Sequence, residues 1–108
     1  MRGTITINDK QIDMVANGAT PVLYKRVFRK DFLVATQNED MDSFSELAYI
    51  MAAQAEKPIS ELINSLTYDK YIEWVSEFEA LDLVNHAAEI FGIYQAQTKT
   101  TSVAKKKK

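Results

Sequence analysis

Thr67 to Tyr94, TYDKYIEWVSEFEALDLVNHAAEIFGIY, is the stretch on which the fold reading turns. It carries the chain's one tryptophan, with Tyr68, Tyr71, Phe78, Phe91 and Tyr94 around it. At about 100° per residue, Tyr68, Tyr71, Ile72, Trp74, Val75 and Phe78 share an arc of roughly 160°. Asp69, Lys70, Glu73, Ser76 and Glu77 take the other side. So wide an apolar stripe marks a helix packed on a core. Thr67 suits the N-cap, and Asp69 the positive end of the helix dipole. Glu79 would fall inside the stripe, so the helix is expected to end or turn near Phe78. A second helix follows Asp82, with Val84, Ala87, Ala88, Phe91 and Tyr94 at three- and four-residue steps. The pair reads as a helical hairpin around which the chain is organised.

Trp74 sits at the edge of its stripe, one turn after Lys70. It reads as a boundary core residue with the lysine stem across its ring. The sharper alternative is an exposed anchor for a partner, because aromatic residues dominate interface hot spots.

The chain's 108 residues make one domain with a real core and no surplus. Without cysteine, disulfides and thiolate metal sites are excluded. No apolar run approaches the ~20 residues of a membrane span. The opening MRGTITIND has no apolar signal region. A soluble, cytoplasmic protein is the expectation.

The formal charge of −2 hides an asymmetry. Residues 1–38 hold six basic and three acidic groups, a net of +3. Residues 39–89 hold twelve acids against Lys57 and Lys70, a net of −10. Residues 90–108 add Lys99 and the last four lysines, +5. An acidic helical body repels phosphate at long range and suits a basic or mixed-charge partner surface. A plain solvated face has the same composition.

Working outward towards the N-terminus, Ile5 and Ile7 alternate with Thr4 and Thr6, and Ile12, Met14 and Ala16 alternate again beyond Asn8-Asp9-Lys10. That is a β-hairpin with turn chemistry at its tip. Alone it is marginal in water, so it must pack on helices or pair through its open edges with a second subunit. After Asn17-Gly18, Thr20-Pro21 reads as an N-cap and first-turn proline. The helix then runs through Val22, Leu23, Tyr24, Val27, Phe28, Phe32 and Leu33. Lys25, Arg26, Arg29 and Lys30 decorate its exposed side; they suit nucleic-acid contact, pairing with the chain's own acidic helices, or a neighbouring subunit.

Residues 36–42 form a polar connector. Ser43 to Glu46 has capping-box spacing, and the helix beyond it is rich in alanine until Pro58 stops it. Ser60 opens a short piece leading to Thr67. From Gln95 on the apolar content disappears, and composition predicts a disordered tail. The expected fold is therefore α+β, mainly α: an N-terminal β-hairpin, four to five helices and a disordered Lys-rich C-terminal tail. Residues 1–95 form one globular domain, with the hairpin over 1–17, the helical body over 20–94 and the flexible tail over 96–108.

Glycines stand only at 3, 18 and 92, which rules out a phosphate-cradling loop. His86 is the sole histidine and reads as structural. Glu73, Glu77 and Glu89 lie on polar helix faces, without the contrasting environments acid–base catalysis requires. No catalytic site, metal or cofactor is expected, and the chain does not read as an enzyme.

Three blocks in order resemble the tail assembly chaperones of long-tailed (siphovirus-type) bacteriophages and prophages. They are the INDK hairpin running into NGATPVLYKRVFRKDFL, then FSELAYIMAAQAEKP, then YIEWVSEFEALDLVNHAAEIFGIYQAQTKTTSVAKKKK. The resemblance implies a protein of the infected or lysogenic bacterial cytoplasm that coats the tape measure protein and is absent from the mature virion. It also implies a programmed frameshift between a short form and a long form, the long form recruiting the tail tube protein. On that resemblance Lys105 to Lys108 mark a slippage site; by composition alone they read as a flexible solubilising end or as a contact for an acidic surface or nucleic acid. Homo-oligomers, rings or spirals, are the family's tendency. Membrane and nucleic acid are not among the implied partners. The expected partner surface is an apolar groove of Trp74, Phe78, Phe91 and Tyr94, or the basic helix with Lys25, Arg26, Arg29 and Lys30. The rival readings are a structural head–tail connector or minor tail protein, and a small nucleic-acid-binding regulator.

Overall fold

The computed structural model describes residues 2–37 and 42–106, with side chains as far as Ala96 except those of Leu33 and Thr36. Strands β1 (Arg2–Ile7) and β2 (Lys10–Val15) form an antiparallel pair. Helices follow as α1 (Ala19–Phe28), α2 (Phe32–Gln37), α3 (Asp42–Glu56), α4 (Ile59–Ser65), α5 (Tyr68–Val75), α6 (Asp82–Asn85) and α7 (Ala87–Lys106). The architecture is α+β and mainly α, as the sequence predicts. Among the described residues no helix is long and apolar enough to cross a membrane.

The hairpin follows from alternation. Ile7 pairs with Lys10, so the loop is the two residues Asn8 and Asp9, at φ 52° and 68°. Both positive values belong to the tight turn whose twist matches the strands, and Asn and Asp tolerate that region better than most residues. Ile5, Ile7, Ile12 and Met14 are buried, with Ile5 opposite Ile12. Thr4 bonds Asp13 across the outer face at 2.8 Å.

The buried face of the hairpin rests on α3, which is the true centre of the fold. This helix touches β2 and α1, α2, α4, α5, α6 and α7. Leu47, Ala48, Tyr49, Ile50, Met51 and Ala52 are six consecutive buried residues. A helix apolar on all sides is enclosed, whereas one sharply divided into apolar and charged faces lies at the surface. The strong stripe of Tyr68 to Phe78 therefore marks a peripheral element, and the expectation that residues 67–94 form the centre gives way.

Two expected helices are broken. The first ends at Arg29, which takes left-handed geometry (φ 60°, ψ 29°) and donates its N–H to the Lys25 carbonyl. The break lets Phe32 turn inward against Tyr24, with ring centres 5.3 Å apart. The second breaks at His86, between α6 and α7. That shifts the phase, so Leu83 and Ile90 are the fully buried positions, and Ala88 is exposed.

Two expected caps differ as well. Gly18 occupies the N-cap of α1, and Thr20 is buried inside the first turn. The Thr20 hydroxyl accepts from the Asn17 N–H at 2.9 Å and donates to Gln54 Oε1 at 2.6 Å. Ser43 lies within α3 because the helix already starts at Asp42. Thr67 caps α5 as read, accepting from the Lys70 N–H at 3.1 Å. Helix α7 continues to Lys106, past the point where the apolar content ends. The side chains of the lysine run lie outside the described ones, as does most of the connector expected over 36–42.

Candidate interaction surface

Chain order sets a groove where α3, α4 and α5 meet. Pro58 stops α3, α4 doubles back, and the extended Leu66 and Thr67 redirect the chain into α5. Tyr49, Ala53, Leu62, Leu66 and Trp74 supply the apolar lining. Glu56, Lys57, Lys70, Glu73 and Glu77 supply charge around it. The volume is about 530 Å³. With Ser65 and Ser76 the lining is mixed, apolar on the Tyr49, Leu62, Leu66 and Trp74 side chains and charged elsewhere.

Trp74 is half-buried, its ring centre 5.9 Å from Tyr49 and 5.0 Å from Phe78. It packs on the core and lines the groove. Among the described residues the Lys10 ammonium lies over an aromatic face, 5.3 Å from the centre of Phe78, and Lys70 lines the same groove as Trp74. The Lys10 ammonium also meets Glu77 at 2.8 Å, which clips the hairpin to the end of α5. Asn8 adds a second clip, donating to Asp82 Oδ2 at 2.8 Å.

The four aromatic residues expected to share one groove fall into two clusters. Trp74 lines the α3/α4/α5 groove, while Phe78 lies outside that lining and packs on Trp74. Phe91 and Tyr94 of α7 pack on Phe32, at 6.1 and 5.2 Å, and Phe91 also meets Phe44 at 5.9 Å. The basic residues divide too. Lys30 is bound internally, 3.1 Å from the buried Glu46 carboxylate. Lys25, Arg26 and Arg29 are exposed and line a second groove of about 590 Å³ with Ile63 and Asn64 of α4 and with Leu66 just beyond it. Leu66 is common to both grooves.

Burial shapes the phenols nearby. Tyr49 and Tyr71 are pushed above the ordinary value of 10 chiefly by burial. The carboxylates of Glu46 and Asp42 push Tyr71 further in the same direction. Tyr94 is raised by burial and by Asp31. At neutral pH these are protonated, packed rings. Among the described residues no group of three His, Asp or Glu side chains is placed to hold a metal ion.

Sequence reasoning missed Tyr49, Leu62 and Leu66 as groove residues. Leu62 and Leu66 stand one turn apart after the Pro58 stop, which was the available signal. Tyr49 had none, since it lies in a continuous apolar run. No family model matches this chain, and neither does any curated protein or solved structure.

Proposed function

We propose that this protein is a tail assembly chaperone of a long-tailed bacteriophage or prophage. It binds the tape measure protein in the host cytoplasm, keeps it soluble while tail tube subunits polymerise around it, and stays out of the finished virion. The groove at Trp74 carries the reading, supported by the three ordered sequence blocks. A tape measure protein is long and helical, with apolar stripes that aggregate when uncovered. A groove built from helices and lined by both apolar and charged side chains suits the ridge of an amphipathic helix. Each contact is small, and repetition along one polymer supplies avidity without chemistry or nucleotide. The acidic body keeps the loaded complex in solution.

Co-expression with the neighbouring tape measure gene tests this. A soluble complex is expected, with slower amide exchange in residues 62–78 when tape-measure fragments are added. A tape measure protein that stays insoluble rejects the proposal, as does this chain appearing in stoichiometric amount in purified virions. The latter result favours the connector or minor tail protein.

A further inference from the structure

The groove between α1 and α4 differs in kind from the one at Trp74. Lys25, Arg26 and Arg29 line it with Ile63, Asn64 and Leu66, and no carboxylate is among them. The Trp74 groove sets Glu56, Glu73 and Glu77 beside Lys57 and Lys70. Among the described residues no carboxylate pairs with Lys25, Arg26 or Arg29, and all three are exposed. Ile63 is 43% exposed and gives these cations an apolar neighbour. Lys25 and Arg26 lie in the last turn of α1, where cations suit the negative end of the helix dipole. Arg29 lies beyond it, at a left-handed cap that favours glycine and strains most other side chains. The turn towards Phe32 demands that backbone, but it does not demand an arginine. A strained residue whose side chain lines a groove points to a use for that side chain.

We infer that this groove docks an acidic helix of a partner protein, one that presents two carboxylates a turn apart beside an aliphatic side chain. The spacing comes from α1 itself. The Arg29 N–H donates to the Lys25 carbonyl at 2.8 Å, so these two residues stand one helical turn apart. Carboxylates at i and i+4 of a helix have a matching separation, about 6 Å. The Arg29 guanidinium takes its carboxylate through two parallel N–H donors, and Arg26 flanks the pair. Ile63 and Leu66 receive the aliphatic group. Nucleic acid fits less well. No aromatic ring lines the groove to stack a base, and the net −10 of residues 39–89 repels a long polyanion. A short acidic helix feels chiefly the cations within a Debye length. The inference rests on the chaperone reading only for which protein supplies the helix; the chemistry of the groove stands without it.

The probe is a capped, dye-labelled, alanine-based helical peptide of about 16 residues, with glutamates at i and i+4 and a leucine on the same face. Its twin has the same composition with the glutamates at i and i+2, on opposite faces. A third probe is oligothymidine of about 15 nucleotides. Binding to the full chain is followed by fluorescence anisotropy at about 50 mM salt and above. The first peptide is expected to bind at least about threefold tighter than its twin and to weaken as salt rises. Lys25→Glu combined with Arg26→Glu should raise its dissociation constant at least about tenfold, and Lys70→Glu in the other groove should leave it unchanged. Circular dichroism checks that each variant keeps its helices. Arg29→Gly separates use from structure. Glycine relieves the cap, so the melting temperature should not fall, while peptide binding weakens by about threefold or more. No binding of the first peptide at low salt overturns the inference. So do equal affinities for the two peptides, or an Arg29→Gly chain with native affinity. Tighter binding of the oligonucleotide overturns it too and gives the groove to nucleic acid. Peptide binding by a chain that leaves the tape measure protein insoluble would reject the chaperone reading and leave this inference standing.

Discussion

Tyr24 donates its phenolic hydroxyl to the Glu46 carboxylate at 2.7 Å, with both side chains buried. Lys30 reaches the same oxygen at 3.1 Å. A carboxylate in a core is tolerated only when donors replace its water. Here the donors come from α1 and from the Arg29 break, so one acid ties three pieces of backbone together.

Removing the acid is expected to cost more than removing the hydroxyl. Glu46→Ala takes away the acceptor of Tyr24 and the counter-ion of Lys30, a loss of about 2–3 kcal/mol. Tyr24→Phe leaves Lys30 on the carboxylate and should cost about 1 kcal/mol. Urea unfolding of the two variants checks the order. Equal losses would mean that the buried pair contributes no more than a surface contact.

The hairpin was legible because a period of two has one structural meaning: Ile5, Ile7, Ile12 and Met14 alternate and all are buried. The stripe at Tyr68 to Phe78 was legible as a helix, and the turn before Glu79 came from the same pattern. What it could not reveal was rank. Amphipathicity identifies the surface helix, while the central α3 has no polar face to betray it. The break at Arg29 was invisible because arginine carries no left-handed signal; it follows from the burial of Phe32, a tertiary demand. The groove at Trp74 was half legible. The tryptophan stood out, but Tyr49 and Leu66 reach it only through the packing of three helices.

The turn at Asn8-Asp9 can be improved. Asp9 has φ 68°, where glycine has no steric penalty and other side chains do. Asp9→Gly is expected to raise stability by about 0.5 kcal/mol, and Asp9→Val to lower it by about 1–2 kcal/mol. Thermal melts of the two variants decide this. A destabilising glycine would show that the Asp9 side chain has a role beyond the turn.

At Gly3, β1 passes close against α7. A Cβ there would stand 2.8 Å from Cδ1 and Cγ1 of Ile93. Gly3→Ala should therefore cost about 1–3 kcal/mol by overpacking. Combining it with Ile93→Ala removes the clash, so the double variant should lose about 1 kcal/mol less than the sum of the singles. Simple additivity in denaturant unfolding would place α7 elsewhere than on the hairpin.

Stability should fall on the alkaline side, with a sign fixed by the raised phenols. Tyr71 is held above the ordinary value of 10 by burial first and then by the Glu46 and Asp42 carboxylates; a hydrogen bond with Ser45 opposes this without prevailing. Tyr49 and Tyr94 move the same way, again mainly by burial. In the unfolded chain such phenols ionise near 10, so above that pH the folded state holds more protons than the unfolded one. The stabilisation is complete below about pH 10 and drains away as pH climbs, by up to about 1.4 kcal/mol per pH unit for each group. Tyrosinate absorbance followed together with helical circular dichroism tests the coupling: the buried phenols should ionise as the helices are lost. Tyr71→Phe cannot ionise there, so its alkaline decline should be shallower than that of the native chain. Full ionisation with the helices intact would show that water reaches the Tyr49–Tyr71 contact in the folded state, and the packing of α5 on α3 would need redrawing.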